Sequence, residues 1–372
     1  MRLILRAGLA LGLAAAACKD SPGPADFTDP AAVTADLSEV ESAFDTDVYR
    51  SFNAATFMLD AAAPSAMQPA AAVVAGARPS LQRSGGQVFL PGMLQGRRLQ
   101  ALMPDLSVAA AQGRIIPDSL YNRVFEWDAT LDQYTWQGTT TTGLSGVRFV
   151  LYAVGLDGLV VEPVSAIGTL DIIDQSTLSS LQLQVLVRGP GGTPTYVDYT
   201  ISLTVNGTTS ATATASGSLS NGLTAAANKT LTFNETFTVT QTGIRANATF
   251  ALNNPAITLT LNESLTFADP DIVINADFSI IQPGETIRTV GRITIDTFDN
   301  SVTVSVTVYV NGHPVASFNG DPSDPATVWV DAGGQPLTAA DLVALDGLFD
   351  AFEAFQEAVA GLFAPIGTLA QL

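Results

Sequence analysis

Very few side chains in this sequence could carry chemistry: among 372 residues there is one cysteine, Cys18, and one histidine, His313. A serine–histidine or histidine–metal site would depend wholly on His313. No phosphate-binding glycine loop, H-E-x-x-H or nucleophile-elbow motif accompanies it. His313 follows Asn311-Gly312, a dipeptide that favours a hairpin turn, so we expect a solvated turn residue. The sequence therefore predicts no enzyme, no catalytic residue and no cofactor.

Two glutamates are the remaining candidates for a site. Glu235 and Glu263 interrupt apolar faces at matching positions of a repeated pattern, and a buried glutamate is costly unless it is partnered or used. The strand register described below separates them by about 17 Å, against about 5–9.5 Å for glycosidase pairs. We expect no catalytic dyad. Each carboxylate either holds a ligand's polar group at the rim of a cavity or lies at the wet end of a strand or at a bulge.

Two acidic turns could supply oxygen ligands for calcium, at Asn319–Pro325 and Phe267–Asp271. Asp before Pro or Gly is ordinary turn chemistry, however. We predict no metal site.

The N-terminus has the features of an export signal. Arg2 and Arg6 precede an apolar run from Ala7 to Ala17, which is too short to cross a bilayer. Small residues directly before Cys18 resemble the lipobox of bacterial lipoproteins, although Ala15 stands where that family has a large aliphatic residue. Ala15 and Ala17 also satisfy an ordinary A-x-A cleavage site.

The resemblance to bacterial lipoproteins implies that Cys18 is acylated and becomes the new N-terminus. Two or more acyl chains give stable anchoring where one is marginal. In Gram-negative lipoproteins an Asp after the cysteine retains the protein at the inner membrane. Lys19 stands there instead, so the resemblance implies the outer membrane, on its periplasmic or its surface side.

The chain is strongly acidic, with 16 Lys and Arg against 35 Asp and Glu and a net charge of −19. Nucleic-acid phosphates need Lys and Arg, so we expect no nucleic-acid partner. The acidic surface would also repel anionic lipid. The predicted membrane contact is therefore the anchor at Cys18. No protein partner is indicated.

A long β-region carries the strongest pattern. Related segments beginning at Ser202, Thr230 and Thr258 are 28 residues apart and alternate apolar with polar residues, which predicts repeated β-hairpins. Aromatic residues pair in an earlier hairpin, Phe125 with Trp136 and Trp127 with Tyr134. A strand ending at Val310 should turn at Asn311-Gly312. We expect roughly nine to eleven strands, all antiparallel.

The hairpin register follows from the proposed turns. A turn at Thr242-Gly243 pairs Val239 with Ala246, and in the same register Glu235 with Phe250. A turn at residues 253–256 pairs Phe250 with Leu259, and in the same register Ala246 with Glu263. Apolar residues then share one face, and Thr, Asn and Ser share the other.

The predicted fold is mainly β with flanking helices: a long-stranded antiparallel β-meander, as a curved sheet or half-open barrel, covered by N- and C-terminal amphipathic helices. Thr338 and Asp341 form a capping-box variant at the start of the second helix. The segment between the first helix and the sheet is rich in arginine, which either pairs with the chain's own carboxylates or forms a partner- or anion-binding loop. The predicted order is a signal peptide (1–17), a lipidated tether (18–28), an amphipathic helix (29–63), an Ala/Pro/Gly/Arg-rich excursion (64–119), the β-meander (120–335) and a C-terminal apolar helix and tail (336–372).

Two functions fit these features. The first is a lipid-anchored binding protein that holds an apolar small molecule or lipid on the apolar face of its sheet. The predicted lining residues are Phe233, Phe237, Phe250, Leu261, Glu235 and Glu263. The second is a structural or adhesive cell-envelope surface protein in which the chain itself fills that face.

Overall fold

Fifteen β-strands account for most of the residues that the computed structural model describes. It describes residues 46–52, 113–131, 133–155, 160–178, 180–206, 209–224, 227–299, 301–345 and 348–349. The strands are β1 (Arg123–Asp128), β2 (Gln133–Thr140), β3 (Gly146–Tyr152), β4 (Ala166–Asp174), β5 (Leu181–Arg188), β6 (Thr195–Asn206), β7 (Ser210–Ser220), β8 (Thr230–Thr240), β9 (Gly243–Asn253), β10 (Ala256–Ala268), β11 (Asp271–Gln282), β12 (Glu285–Asp296), β13 (Val302–Val310), β14 (His313–Gly320) and β15 (Val330–Asp331).

All fifteen strands belong to one sheet, in which β3 to β15 follow one another in chain order. The sheet is not closed: β15 forms one edge and β2 the other. The predicted antiparallel meander is confirmed, but two details were wrong. The described chain has more strands than expected, and β1 runs parallel to β3. Several of the additional strands are short, so their alternation is too brief to recognise in the sequence.

Side chains alternate between an inner face, which is buried, and an outer face, which is polar. In β8, for example, the inward residues from Leu231 to Val239 are buried, whereas the threonines between them lie outward. Outward hydroxyls meet across strands, with Thr212 and Thr238 3.2 Å apart and Thr260 and Ser279 2.7 Å apart. Such cross-strand pairs stabilise the ladder and fix its register.

The predicted registers are confirmed except at one hairpin. Phe125 pairs with Trp136, and Phe250 with Leu259. The turn at Asn311-Gly312 is also present, with both residues at positive φ, as a tight hairpin requires.

The register of β8 against β9 was wrong by two residues. Val239 pairs with Ile244 rather than Ala246, and Phe237 pairs with Ala246. The connection is a two-residue turn, because Thr240 pairs directly with Gly243. Gly243 lies in β9, where the close packing against β10 requires glycine, because a Cβ there would lie 2.1 Å from the carbonyl oxygen of Leu265. The glycine permits close strand approach rather than forming the turn.

The buried apolar residues of the described helices belong to the same hydrophobic core as the inner face of the sheet. Residues 47–52 are helical and lie within the predicted first helix, with Val48, Tyr49 and Phe52 buried. The Tyr49 hydroxyl lies 2.6 Å from the carbonyl oxygen of Tyr196. The rest of the predicted helix over 29–63 lies outside the described residues, as do the signal, Cys18 and most of the Arg-rich excursion.

The predicted capping box at the second helix is confirmed. The Thr338 hydroxyl donates to Asp341 at 2.6 Å, and the Asp341 N–H donates to the Thr338 hydroxyl at 3.3 Å. Residues 339–345 and 348–349 are helical. Leu345 is buried, whereas Leu342 is 39% exposed. Most of the remaining predicted helix lies outside the described residues.

Two buried aspartates tie the early strands together. Asp174 accepts hydrogen bonds from the backbone N–H groups of Ile115 and Ile116, both at 2.7 Å. Asp171 is 2% exposed and receives a bidentate contact from Arg148 at 2.6 and 2.7 Å. Charge-assisted contacts of this kind are stronger than neutral hydrogen bonds.

Candidate ligand-binding site

The four apolar residues predicted to line a site lie together on the inner face. Phe233 pairs with Phe250, and their rings stack with centroids 6.1 Å apart. Leu261 lies across from Ala248, and Phe237 across from Ala246. All four are buried, with exposures of 3–7%.

The two glutamates also point to the inner face, with Glu235 7% and Glu263 5% exposed. This outcome contradicts the alternative that they lie at the wet end of a strand. Glu235 pairs with Ala248, and Ala248 pairs with Leu261, which is two residues from Glu263 on β10. The Cα atoms are therefore about 12 Å apart rather than 17 Å. The difference follows directly from the corrected register of β8 and β9.

Small side chains surround these glutamates. The row across the sheet that contains Glu235 has alanine on both neighbouring strands, and so does the row that contains Glu263. We call these small residues the alanine belt: Ala213, Ala215, Ala246, Ala248, Ala276 and Gly291. From β8 to β13, the rows on either side carry Phe, Leu, Ile and Val instead. The belt thus places small side chains on the strands next to each glutamate, and the same two rows also contain Phe237, Leu261 and Phe278.

Glu235 is in an environment that disfavours its charge. Burial, with repulsion from Glu263 as the second cause, raises the pKa of Glu235 to about 8. Its Oε2 atom has no hydrogen-bond partner among the described residues, and none of their ion pairs involves this carboxylate. Unpartnered buried polar atoms are rare in proteins and call for an explanation.

Sequence reasoning missed a third polar residue of this face, Thr289. It is 1% exposed and lies in the same row across the sheet as Glu235, in which Leu261 pairs with Phe278 and Phe278 pairs with Thr289. Its hydroxyl likewise has no hydrogen-bond partner in the described part of the chain. The signal was available, because Thr289 takes an inward position in the alternation between Ile287 and Ile293.

The other candidates are structural residues of turns and strand ends. His313 is exposed at the start of β14, opposite Val310. Asp321 accepts hydrogen bonds from the backbone and hydroxyl of Ser323, which lower its pKa, and Asp324 accepts from the backbone N–H of Ala326. No group of His, Cys, Asp or Glu side chains suited to a metal was found within the described ranges.

A shallow groove of about 460 Å³ lies over the outer side of strands β9 to β13. Polar side chains such as Arg245, Asn262, Asn275, Asp277 and Arg292 line it. This concavity was not predicted from the sequence. It lies over the polar face, away from the predicted phenylalanine lining.

No known family, curated protein or solved structure matches this chain. Within the residues that the structure describes, no helix is long and apolar enough to cross a membrane.

Proposed function

We propose that this protein is an exported lipoprotein, anchored through Cys18, that binds an apolar molecule on the inner face of its sheet without catalysis. The observation that carries the proposal is the carboxylate of Glu235, which is buried beside small side chains and has one oxygen unpartnered within the described chain. Such a group does not contribute to folding stability. A ligand's polar group would give it a partner.

The surrounding side chains suit the apolar part of such a ligand. The stacked rings of Phe233 and Phe250 lie one row from Glu235, and the side chains of the alanine belt beside them are small. Burial of apolar ligand surface contributes about 25 cal/mol per Å². Since the lining residues are buried, binding requires displacement of whatever covers them.

The proposed location follows from the N-terminal sequence. The lipobox-like residues before Cys18 support acylation, and Lys19 supports the outer membrane. A protein tethered there has direct access to lipids and other apolar molecules of the envelope. Cys18→Ala tests the anchor: because Ala15 and Ala17 suit ordinary cleavage, the variant should be exported and recovered in the soluble fraction. Retention of the variant in membranes would contradict anchoring through Cys18.

One observation favours the alternative, a structural or adhesive envelope protein. Phe233, Phe237, Phe250 and Leu261 are at most 7% exposed, as expected if the chain fills its own inner face.

Native mass spectrometry of the Cys18→Ala protein, purified without detergent, separates the two functions. A stoichiometric apolar adduct, or one formed after incubation with lipids, supports the binding protein. Ala248→Leu should weaken this adduct by filling the belt, whereas Thr249→Val on the outer face should leave it unchanged. An unaltered protein mass after incubation would favour the structural role.

A further inference from the structure

The polar groups of the inner face differ in kind from those a fatty-acid or phospholipid site would present. Glu235 and Glu263 are both carboxyl groups that accept hydrogen bonds when ionised, and repulsion from Glu263 adds to burial in disfavouring the charged form of Glu235. No described Lys or Arg forms an ion pair with Glu235. A carboxylate or phosphate head group placed here would meet repulsion from Glu263, whereas a cation would be attracted.

We propose that the ligand of this face is a cationic amphiphile, an apolar chain with an ammonium head that lies between Glu235 and Glu263. This inference rests on the proposed function and names the class of ligand for the same site. The unpartnered Oε2 of Glu235 accepts one N–H of the head group. The tail lies against Phe233 and Phe250.

The spacing of the two glutamates fits one small cation. Their Cα atoms are separated by about two strand spacings and two residues along the strand, or about 12 Å. Two glutamate side chains can span this distance with an ammonium between them. The positions between them on β9 and β10 are Ala246, Ala248 and Leu261, so on these two strands only apolar side chains separate the glutamates.

Charge balance gives the binding a recognisable signature. Glu235 holds a proton below about pH 8 because burial and Glu263 raise its pKa. The facing residues on β7 and β9 are Ala215 and Ala248, which leaves Glu263 as the titratable group that acts on it among the described residues. When an ammonium binds, Glu235 releases this proton to solvent and becomes the carboxylate that pairs with the cation. Near-neutral binding should therefore release up to one proton per ligand.

A matched series of ligands tests the head group separately from the tail. Dodecylammonium, dodecanol and dodecanoate, each below its micelle concentration, are titrated calorimetrically into the Cys18→Ala protein at pH 7. We expect dodecylammonium to bind at least tenfold more tightly than dodecanoate, with dodecanol between them. Buffers of different ionisation enthalpy should report proton release with the amine and none with the alcohol.

Matched variants locate the effect. Glu235→Gln should lower the affinity for dodecylammonium about tenfold and abolish proton release, while the affinity for dodecanol stays the same. Glu263→Gln provides a second variant, and Glu162→Gln, an exposed glutamate, controls for the loss of one surface charge. Circular dichroism checks that each variant is folded.

The outcomes separate the two proposals. If none of the three ligands binds, the proposed function fails. If all bind equally, or the amine binds equally to wild type and Glu235→Gln, the protein is a binder but the head-group inference is wrong. Tightest binding of dodecanoate would overturn the inference outright.

Discussion

The buried carboxyl of Glu235 should make the stability of this protein depend on pH in an unusual direction. Its pKa in the folded chain is about 8, against an ordinary value of 4.5. Between these values the folded chain holds a proton that the unfolded chain releases. The free energy of unfolding should therefore fall as pH rises from about 4.5 to 8, and this contribution should be constant above that range.

The size of the effect follows from the pKa shift. One pKa unit corresponds to about 1.36 kcal/mol, so ionising Glu235 in the folded chain costs on the order of 4 to 5 kcal/mol above pH 8. Glu235→Gln preserves the shape of the side chain but cannot ionise. The difference in free energy of unfolding between Glu235→Gln and wild type should therefore increase by about 4 kcal/mol, in favour of the variant, from pH 5 to pH 9.

Urea denaturation of the Cys18→Ala protein and its Glu235→Gln derivative, at pH 5, 7 and 9, measures this difference. Comparing two proteins at each pH removes the contributions of all other titrating groups. Glu162→Gln repeats the comparison at an exposed position. A difference between Glu235→Gln and the parent that is constant within about 0.5 kcal/mol over this range would refute the reasoning.

Three further substitutions test the packing of the sheet, all by denaturation at neutral pH. Asp174→Ala removes the acceptor of two buried backbone N–H groups and should destabilise the protein by about 3 kcal/mol; a loss below about 1 kcal/mol would contradict that role. Asp171→Ala leaves a partly buried arginine unpaired and should destabilise the protein by about 2 to 3 kcal/mol. Asp277→Ala, in an exposed pair, should destabilise it by less than about 1 kcal/mol. Equal losses of stability would show that burial does not set the strength of the ion pair. Gly243→Ala places a Cβ against backbone of β10 and should destabilise the protein by about 2 kcal/mol. Thr242→Ala, in the adjoining turn, should change stability by no more than about 0.5 kcal/mol. A larger loss for Thr242→Ala than for Gly243→Ala would indicate that the glycine serves the turn rather than the close strand approach.

The alternation of side chains made much of the sheet predictable. Period two is a local property of an extended chain, so the inward placement of Phe233 and Phe250 needs no knowledge of the fold. Turn chemistry likewise located the hairpin at Asn311-Gly312, because only positive φ at both residues closes such a tight turn.

The register between strands was less predictable where the same residue type fits either a turn or a close approach of two strands. Gly243 signals a turn from its sequence neighbours, but its actual role is close approach to Leu265 on the next strand. That contact is between residues distant in sequence. The resulting two-residue error placed the two glutamates about 5 Å too far apart.

By itself, the sequence determined the β-class, the antiparallel meander, the polar and apolar faces and the residues of the inner face, because each depends on spacing along one chain. It also contains the lipobox-like N-terminus on which the proposed location rests. Only the tertiary structure decided that β1 runs parallel to β3 and that Glu235 and Thr289 are buried with unpartnered oxygens in the described chain. The physical reason is that register, burial and pKa depend on neighbours across the sheet, and those neighbours are fixed only when the strands pack together.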